Sequence, residues 1–108
     1  MDADYTPQEV AALLALGAVE LIDVREPVEY EAGRIAGSRH VPLAELPGWA
    51  ESIARERPLV FYCRSGSRSA MAADAFRGAG FDAHNMAGGL LDWHAGGLPL
   101  EPDDGRVA

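Results

Sequence analysis

Cys63, the one cysteine of the chain, opens the stretch Cys63-Arg64-Ser65-Gly66-Ser67-Arg68-Ser69. The apolar run Pro58-Leu59-Val60-Phe61-Tyr62 precedes it and an alanine-rich run from Ala70 to Phe76 follows. The thiol therefore sits where a strand hands over to a helix. A turn of small residues at such a junction lets consecutive backbone N–H groups converge, and the helix N-terminus adds partial positive charge to them. A thiol in that field ionises easily. A lone cysteine is more often a small buried hydrophobe. Two arginines and three serines in the next six residues suit a thiolate and an incoming anion better.

The rest of the composition narrows the chemistry. With a single cysteine there is no internal disulfide, no Cys-x-x-Cys redox couple and no zinc knuckle. His40, His84 and His94 show no metal-ligand spacing, so neither a metal nor a cofactor is expected. A pairing of Cys63 with His40 or His84 stays open, although neither histidine lies in a recognisable motif. A net charge of −8 argues against nucleic acid as a partner. All nine cations are arginines, which suit planar contact with oxyanions. No apolar run reaches membrane-spanning length, and Met1-Asp2-Ala3-Asp4 is acidic where a secretory leader is basic, so the expected location is the cytoplasm, with no membrane partner. Nucleophilic attack on a compact anion remains, with sulfur or phosphorus at its centre.

The elements that must place this loop can be read in order. Thr6-Pro7-Gln8-Glu9 has the form of a capping box with proline at the first helical position, and Val10, Leu13 and Leu14 share a face up to Gly17. Residues 19–24 suit a buried strand, ending in Asp23 and Arg25, which are either a structural ion pair or part of a site. Pro27 opens a brief helix through Tyr30, closed by Gly33. Residues 33–42 give a turn and a short strand. Pro47, Trp49, Ala50, Ile53 and Ala54 fall at helical spacing before Pro58 stops them, with Trp49 read as core. After the loop comes a helix with Ala72, Ala75, Phe76 and Ala79 on one face, then a strand over 81–86 and a turn at Gly88-Gly89 into a last short helix. Strands alternating with helices predict a parallel sheet covered on both faces, with the site beyond the strands' carboxyl ends. The chain reads as a single domain over 1–108, with its core at about 6–100 and a loose acidic tail over 101–108.

Several of these pieces together resemble the rhodanese family. They are Leu21-Ile22-Asp23-Val24-Arg25-Glu26, the stretch Glu29-Tyr30-x-x-Gly33-x-Ile35-x-Gly37-Ser38 with Val41-Pro42, the segment from Val60 to Ser69, and Gly88-Gly89-x-x-x-Trp93. The resemblance implies a rhodanese-like three-layer α/β fold of about five mainly parallel strands flanked by helices. It also implies that Cys63 accepts a sulfane sulfur as a persulfide from thiosulfate or a similar anionic donor, and passes it to cyanide, a thiol or a protein acceptor. Arg64, Ser65, Gly66, Ser67 and Arg68 are then the substrate-binding residues, with backbone N–H groups holding the extra sulfur's charge and the two arginines drawing in the donor. Related phosphatases carry one more residue between cysteine and arginine, so the six-residue span from Cys63 to Arg68 matches sulfur chemistry. Arsenate reduction and phosphatase-like activity match it less well. A persulfide-carrier or protein-binding module with little small-molecule turnover is the alternative in a different functional class.

Overall fold

A computed structural model of the chain describes residues 4–108. Met1 to Ala3, and with them most of the acidic N-terminal stretch, lie outside the described residues. Five strands, β1 (Asp4–Tyr5), β2 (Glu20–Asp23), β3 (Arg39–His40), β4 (Leu59–Tyr62) and β5 (Ala83–Met86), form one sheet in the order β1-β5-β4-β2-β3. Every pairing is parallel. The helices are α1 (Pro7–Ala15), α2 (Pro27–Ala32), α3 (Leu46–Trp49), α4 (Ser67–Gly78) and α5 (Gly89–Ala95).

Alternation along the central strands produces the three layers, because successive side chains point to opposite faces. Leu59, Phe61 and Cys63 fall in one buried cluster with Ile22, Val24 and the α4 residues Ala72, Ala73 and Phe76. Val60 and Tyr62 fall in the other, with Leu21, Val10 of α1 and Leu90 and Trp93 of α5. β4 is buried along its whole length, as expected of a strand covered on both sides. Cys63 is thus the first residue past the carboxyl end of a central strand.

The capping box opens α1 as expected: Glu9 N–H donates to Thr6 Oγ1 at 3.1 Å, and Thr6 N–H to Glu9 Oε1 at 2.8 Å. Elsewhere the structure differs from the sequence reading. β1 lies just ahead of that cap and pairs with β5; two residues are too short to show any alternation. The single helix expected after Pro47 is broken into 3-10 turns at Leu43–Glu45 and Ala50–Ser52 around the four-residue α3. Pro47 donates no backbone hydrogen bond and Gly48 weakens the helix interior, which accounts for the interruption. Trp49 is 40% exposed rather than core, with the Arg39 guanidinium 4.9 Å from its ring centroid. In α4 the buried residues are Ser69, Ala72, Ala73 and Phe76, the face packed on the β4 side of the sheet; Ala75 and Ala79 line an open apolar groove with Leu46, Pro47 and Phe81.

The loose tail expected over 101–108 is instead pinned. Arg34 and Glu101 exchange backbone hydrogen bonds at 3.0 and 2.8 Å, Arg106 N–H donates to Ala32 O at 2.9 Å, and Val107 packs on the α1/α5 side of the core. A Cβ on Gly33 would collide with the Arg106 backbone.

Asp23 and Arg25 form a structural pair. Both are fully buried. Arg25 Nη2 donates to Asp23 Oδ2 at 2.7 Å and to Gly33 O at 2.8 Å, Nε donates to Asp23 Oδ1 at 2.9 Å, and the Arg25 backbone N–H also reaches Oδ1 at 2.9 Å. Arg25 O accepts from His40 Nε2 at 2.8 Å, which fixes the proton on that nitrogen since a carbonyl only accepts. The pair therefore ties the end of β2 to the ends of α2 and β3. Removing one partner strands a buried charge, whereas removing both does not. Arg25→Leu is expected to cost about 3–5 kcal/mol in urea unfolding, and the double variant Asp23→Leu/Arg25→Leu to recover a large part of it.

Candidate active site

The loop is built on a contact between two turns. Leu90 N–H donates to Cys63 O at 2.8 Å and Leu91 N–H to Arg64 O at 3.0 Å. These donors belong to the first turn of α5, which has no intrahelical use for them. Such close approach needs glycine. A Cβ on Gly89 would stand 2.5 Å from Arg64 O and 2.6 Å from Cys63 O, and its φ of +61° disfavours other residues as well. Trp93, three residues beyond Leu90, anchors the helix by burying its ring and donating Nε1–H to Pro99 O at 2.8 Å. The Gly88-Gly89-x-x-x-Trp93 pattern is thus the seat of the cysteine loop.

A peptide's C=O and N–H point in opposite directions, so carbonyls tied to α5 send the N–H groups of the same peptides the other way. Gly66, at φ +105°, completes the turn as the residue before α4. Its N–H donates to Cys63 Sγ at 3.1 Å, and Ser69 Oγ stands 3.4 Å from the same sulfur. Cys63 exposes no surface, which on its own would fit an inert thiol. Burial alone would push the thiol up, but the Ser69 hydroxyl and the backbone N–H groups of Ser69, Gly66 and Ser65 outweigh it and hold the thiol below its ordinary value. The hydrogen bonds on Cys63 Sγ thus favour its ionised form against the burial that opposes it.

Ser69 and Asn85, both buried, extend this arrangement into the fold. Ser69 Oγ lies 2.6 Å from Asn85 Oδ1. The hydroxyl has one proton, which goes either to Asn85 or to the sulfur.

The two arginines have separate partners. Arg64 is exposed, and its Nε donates to Ala108 O at 3.1 Å. Arg68 grips Glu29 with both arms of its fork, Nη1 to Oε1 at 2.8 Å and Nη2 to Oε2 at 2.9 Å. Glu29 Oε1 also accepts from Glu26 N–H at 2.9 Å in the first turn of α2. The Arg68 hydrogen bonds hold the Glu29 carboxyl at about 2, and that carboxylate in turn raises the guanidinium. Ser65 and Ser67 are exposed at the loop surface. His40 is committed to Arg25 O, and His84 Nε2 lies 2.6 Å from Asp82 Oδ1. Among the described residues no group of three or more His, Cys, Asp and Glu side chains could hold a metal ion, and no helix is long and apolar enough to cross a membrane.

The sequence model of the rhodanese-like domain matches residues 6–96. The chain belongs to this family. Over 79% of its length it is 40% identical to the HTH-type transcriptional regulator Rv0324 of Mycobacterium tuberculosis, but it spans only 38% of that protein. It is 34% identical to a sulfurtransferase of Allochromatium vinosum, covering 81% of this chain and 82% of that one. Among solved structures, a rhodanese-related protein of Thermoplasma volcanium matches with a TM-score of 0.83 at 28% identity, over 90% of this chain and 95% of that one. This rhodanese-like domain thus has the five-stranded α/β fold and the loop that the sequence implied.

Sequence reasoning placed Cys63 and its loop together. It missed three groups around them. Ser69 and Glu29 stood in quoted motifs without a role, and Asn85 carried no signal, since its partner is 16 residues away in sequence.

Two measurements follow from these bonds. The pH dependence of Cys63 alkylation by iodoacetamide is expected to have a midpoint below that of a free thiol, and Ser69→Ala to move it up; an unmoved midpoint would remove Ser69 from the site. Glu29, lowered in the folded state from an ordinary 4.5 to about 2, stabilises the fold above about pH 4.5, and this contribution is lost as pH falls towards 2. Unfolding of Glu29→Gln across that range is expected to show a shallower acid dependence than the parent.

Proposed function

We propose that this protein is a rhodanese-type sulfurtransferase working through a Cys63 persulfide, with thiosulfate or a similar sulfane donor and a thiol or cyanide as acceptor. The observation that carries the reading is the convergence of Gly66 N–H and the Ser69 hydroxyl on Cys63 Sγ at the start of α4. In this reading the Cys63 thiolate attacks the outer sulfur of thiosulfate, the S–S bond to the sulfite sulfur breaks, and sulfite leaves with that bond's electrons. In this reading the backbone N–H groups of Ser65 and Gly66, which already face the Cys63 sulfur, hold the negative terminal sulfur. Cyanide then attacks that sulfur, forming thiocyanate and restoring the thiolate. No proton or external electron is needed in either step.

One observation favours a second reading. Cys63 exposes no surface, so the sulfur is reached only when the loop yields, and a protein partner that opens the loop would make the domain a persulfide carrier. The cytoplasm is the proposed setting for either role.

Incubation with thiosulfate is expected to add the mass of one sulfur atom to the parent and none to Cys63→Ser, and cyanide to remove it as thiocyanate. Failure to load from every sulfane donor tried would overturn the transferase reading. Loading without turnover by cyanide or small thiols would select the carrier.

A further inference from the structure

The guanidinium that best fits an incoming anion is already occupied by one. Arg68 closes the six-residue loop, and its two terminal nitrogens are filled by the two oxygens of Glu29. The carboxylate is fixed from behind by Glu26 N–H. It is also well enclosed, with a side-chain exposure of 14% against 33% for Arg68. Arg64 points its Nε at Ala108 O. The loop therefore offers a donor its backbone N–H groups and little net side-chain charge at Arg68, on a chain whose overall charge is −8.

Resting on the sulfurtransferase reading, we infer that Glu29 is a specificity-determining residue. By occupying the Arg68 fork it disfavours the thiosulfate dianion and favours a sulfane donor of low charge, the persulfide of a small thiol. Thiosulfate brings two negative charges to a thiolate and must leave as the sulfite dianion. The cation that closes the loop, Arg68, is already paired with Glu29. A small thiol's persulfide brings no negative charge as R–S–SH and one when ionised. The Cys63 thiolate attacks its terminal sulfur, the S–S bond breaks, R–S⁻ leaves with the electron pair, and Cys63–S–SH remains, with atoms and charge balanced. The developing charge on the R–S⁻ leaving group is single, where sulfite carries two.

The test uses Glu29→Gln, which keeps an acceptor for Glu26 N–H and Arg68 while removing the charge. Sulfur loading of Cys63 is measured with thiosulfate and with the persulfide of 2-mercaptoethanol, whose carrier thiol bears no other charge. The kcat/KM for thiosulfate is expected to rise about tenfold in the variant while that for the 2-mercaptoethanol persulfide stays within about twofold. Sulfate, an unreactive dianion, is expected to protect Cys63 from iodoacetamide at lower concentration in the variant than in the parent. The double variant Glu29→Gln/Arg68→Gln removes both charges and is expected to stay within about threefold of the parent on thiosulfate. Equal changes with both donors, or no change, would overturn the role of Glu29. A loss of about a hundredfold on thiosulfate in the double variant would overturn it too, by showing that Arg68 holds the donor despite Glu29. If neither donor loads the parent, the sulfurtransferase reading itself falls.

Discussion

Two hydrogen bonds, from the N–H groups of Leu90 and Leu91 to the carbonyls of Cys63 and Arg64, set the orientation on which the site depends. They turn the first peptides of the loop carbonyl-out, and planarity then turns the N–H groups in. Without this seat the loop has no reason to point donors at the sulfur, since small residues alone do not choose a direction. Its cost is two glycines in left-handed conformations, and its gain is a buried thiol whose ionised form is favoured by hydrogen bonds rather than by a cationic side chain in contact with it. The sheet contributes by placing the ends of β4 and β5 side by side, so that the turn after one meets the turn after the other.

Side-chain electrostatics is arranged in layers around that backbone cradle. The buried Asp23–Arg25 pair does not touch the sulfur; it fixes where α2 and β3 end relative to the sheet. α2 presents Glu29 in its first turn, and Glu29 holds Arg68. Position is thus passed outward from a pair that is costly to bury to one that is half in solvent. The outer pair remains adjustable.

What was legible in the sequence follows from how local each interaction is. Thr6 and Glu9 are three residues apart, and their reciprocal cap was readable as a pattern. The Cys63 loop and the Gly88-Gly89 turn were readable as family motifs, although not that one seats the other. The Glu29–Arg68 bond spans 39 residues, and nothing local in either residue announces the other. Counting cations around Cys63 therefore overstated the free positive charge. The rotated stripe of α4 arose from an ambiguity of a similar kind, since alanines at 72, 73, 75 and 79 allow more than one face, and packing on the β4 side of the sheet decides it. The closing segment read as loose from its prolines and acids, because its partners are backbone atoms 70 or so positions earlier, where composition carries no trace.

That segment has a consequence for how such a domain can vary. Arg106 lies against Gly33 so closely that no side chain fits there, and it bonds the last carbonyl of α2. Glu29 sits one turn earlier on the same helix. Substitution or insertion at 101–106 is therefore felt at the mouth of the cysteine loop through a single rigid turn. The polar stretch that looks freest to drift is tethered to the end of α2, and its residues are expected to change in concert with 32–34 rather than alone.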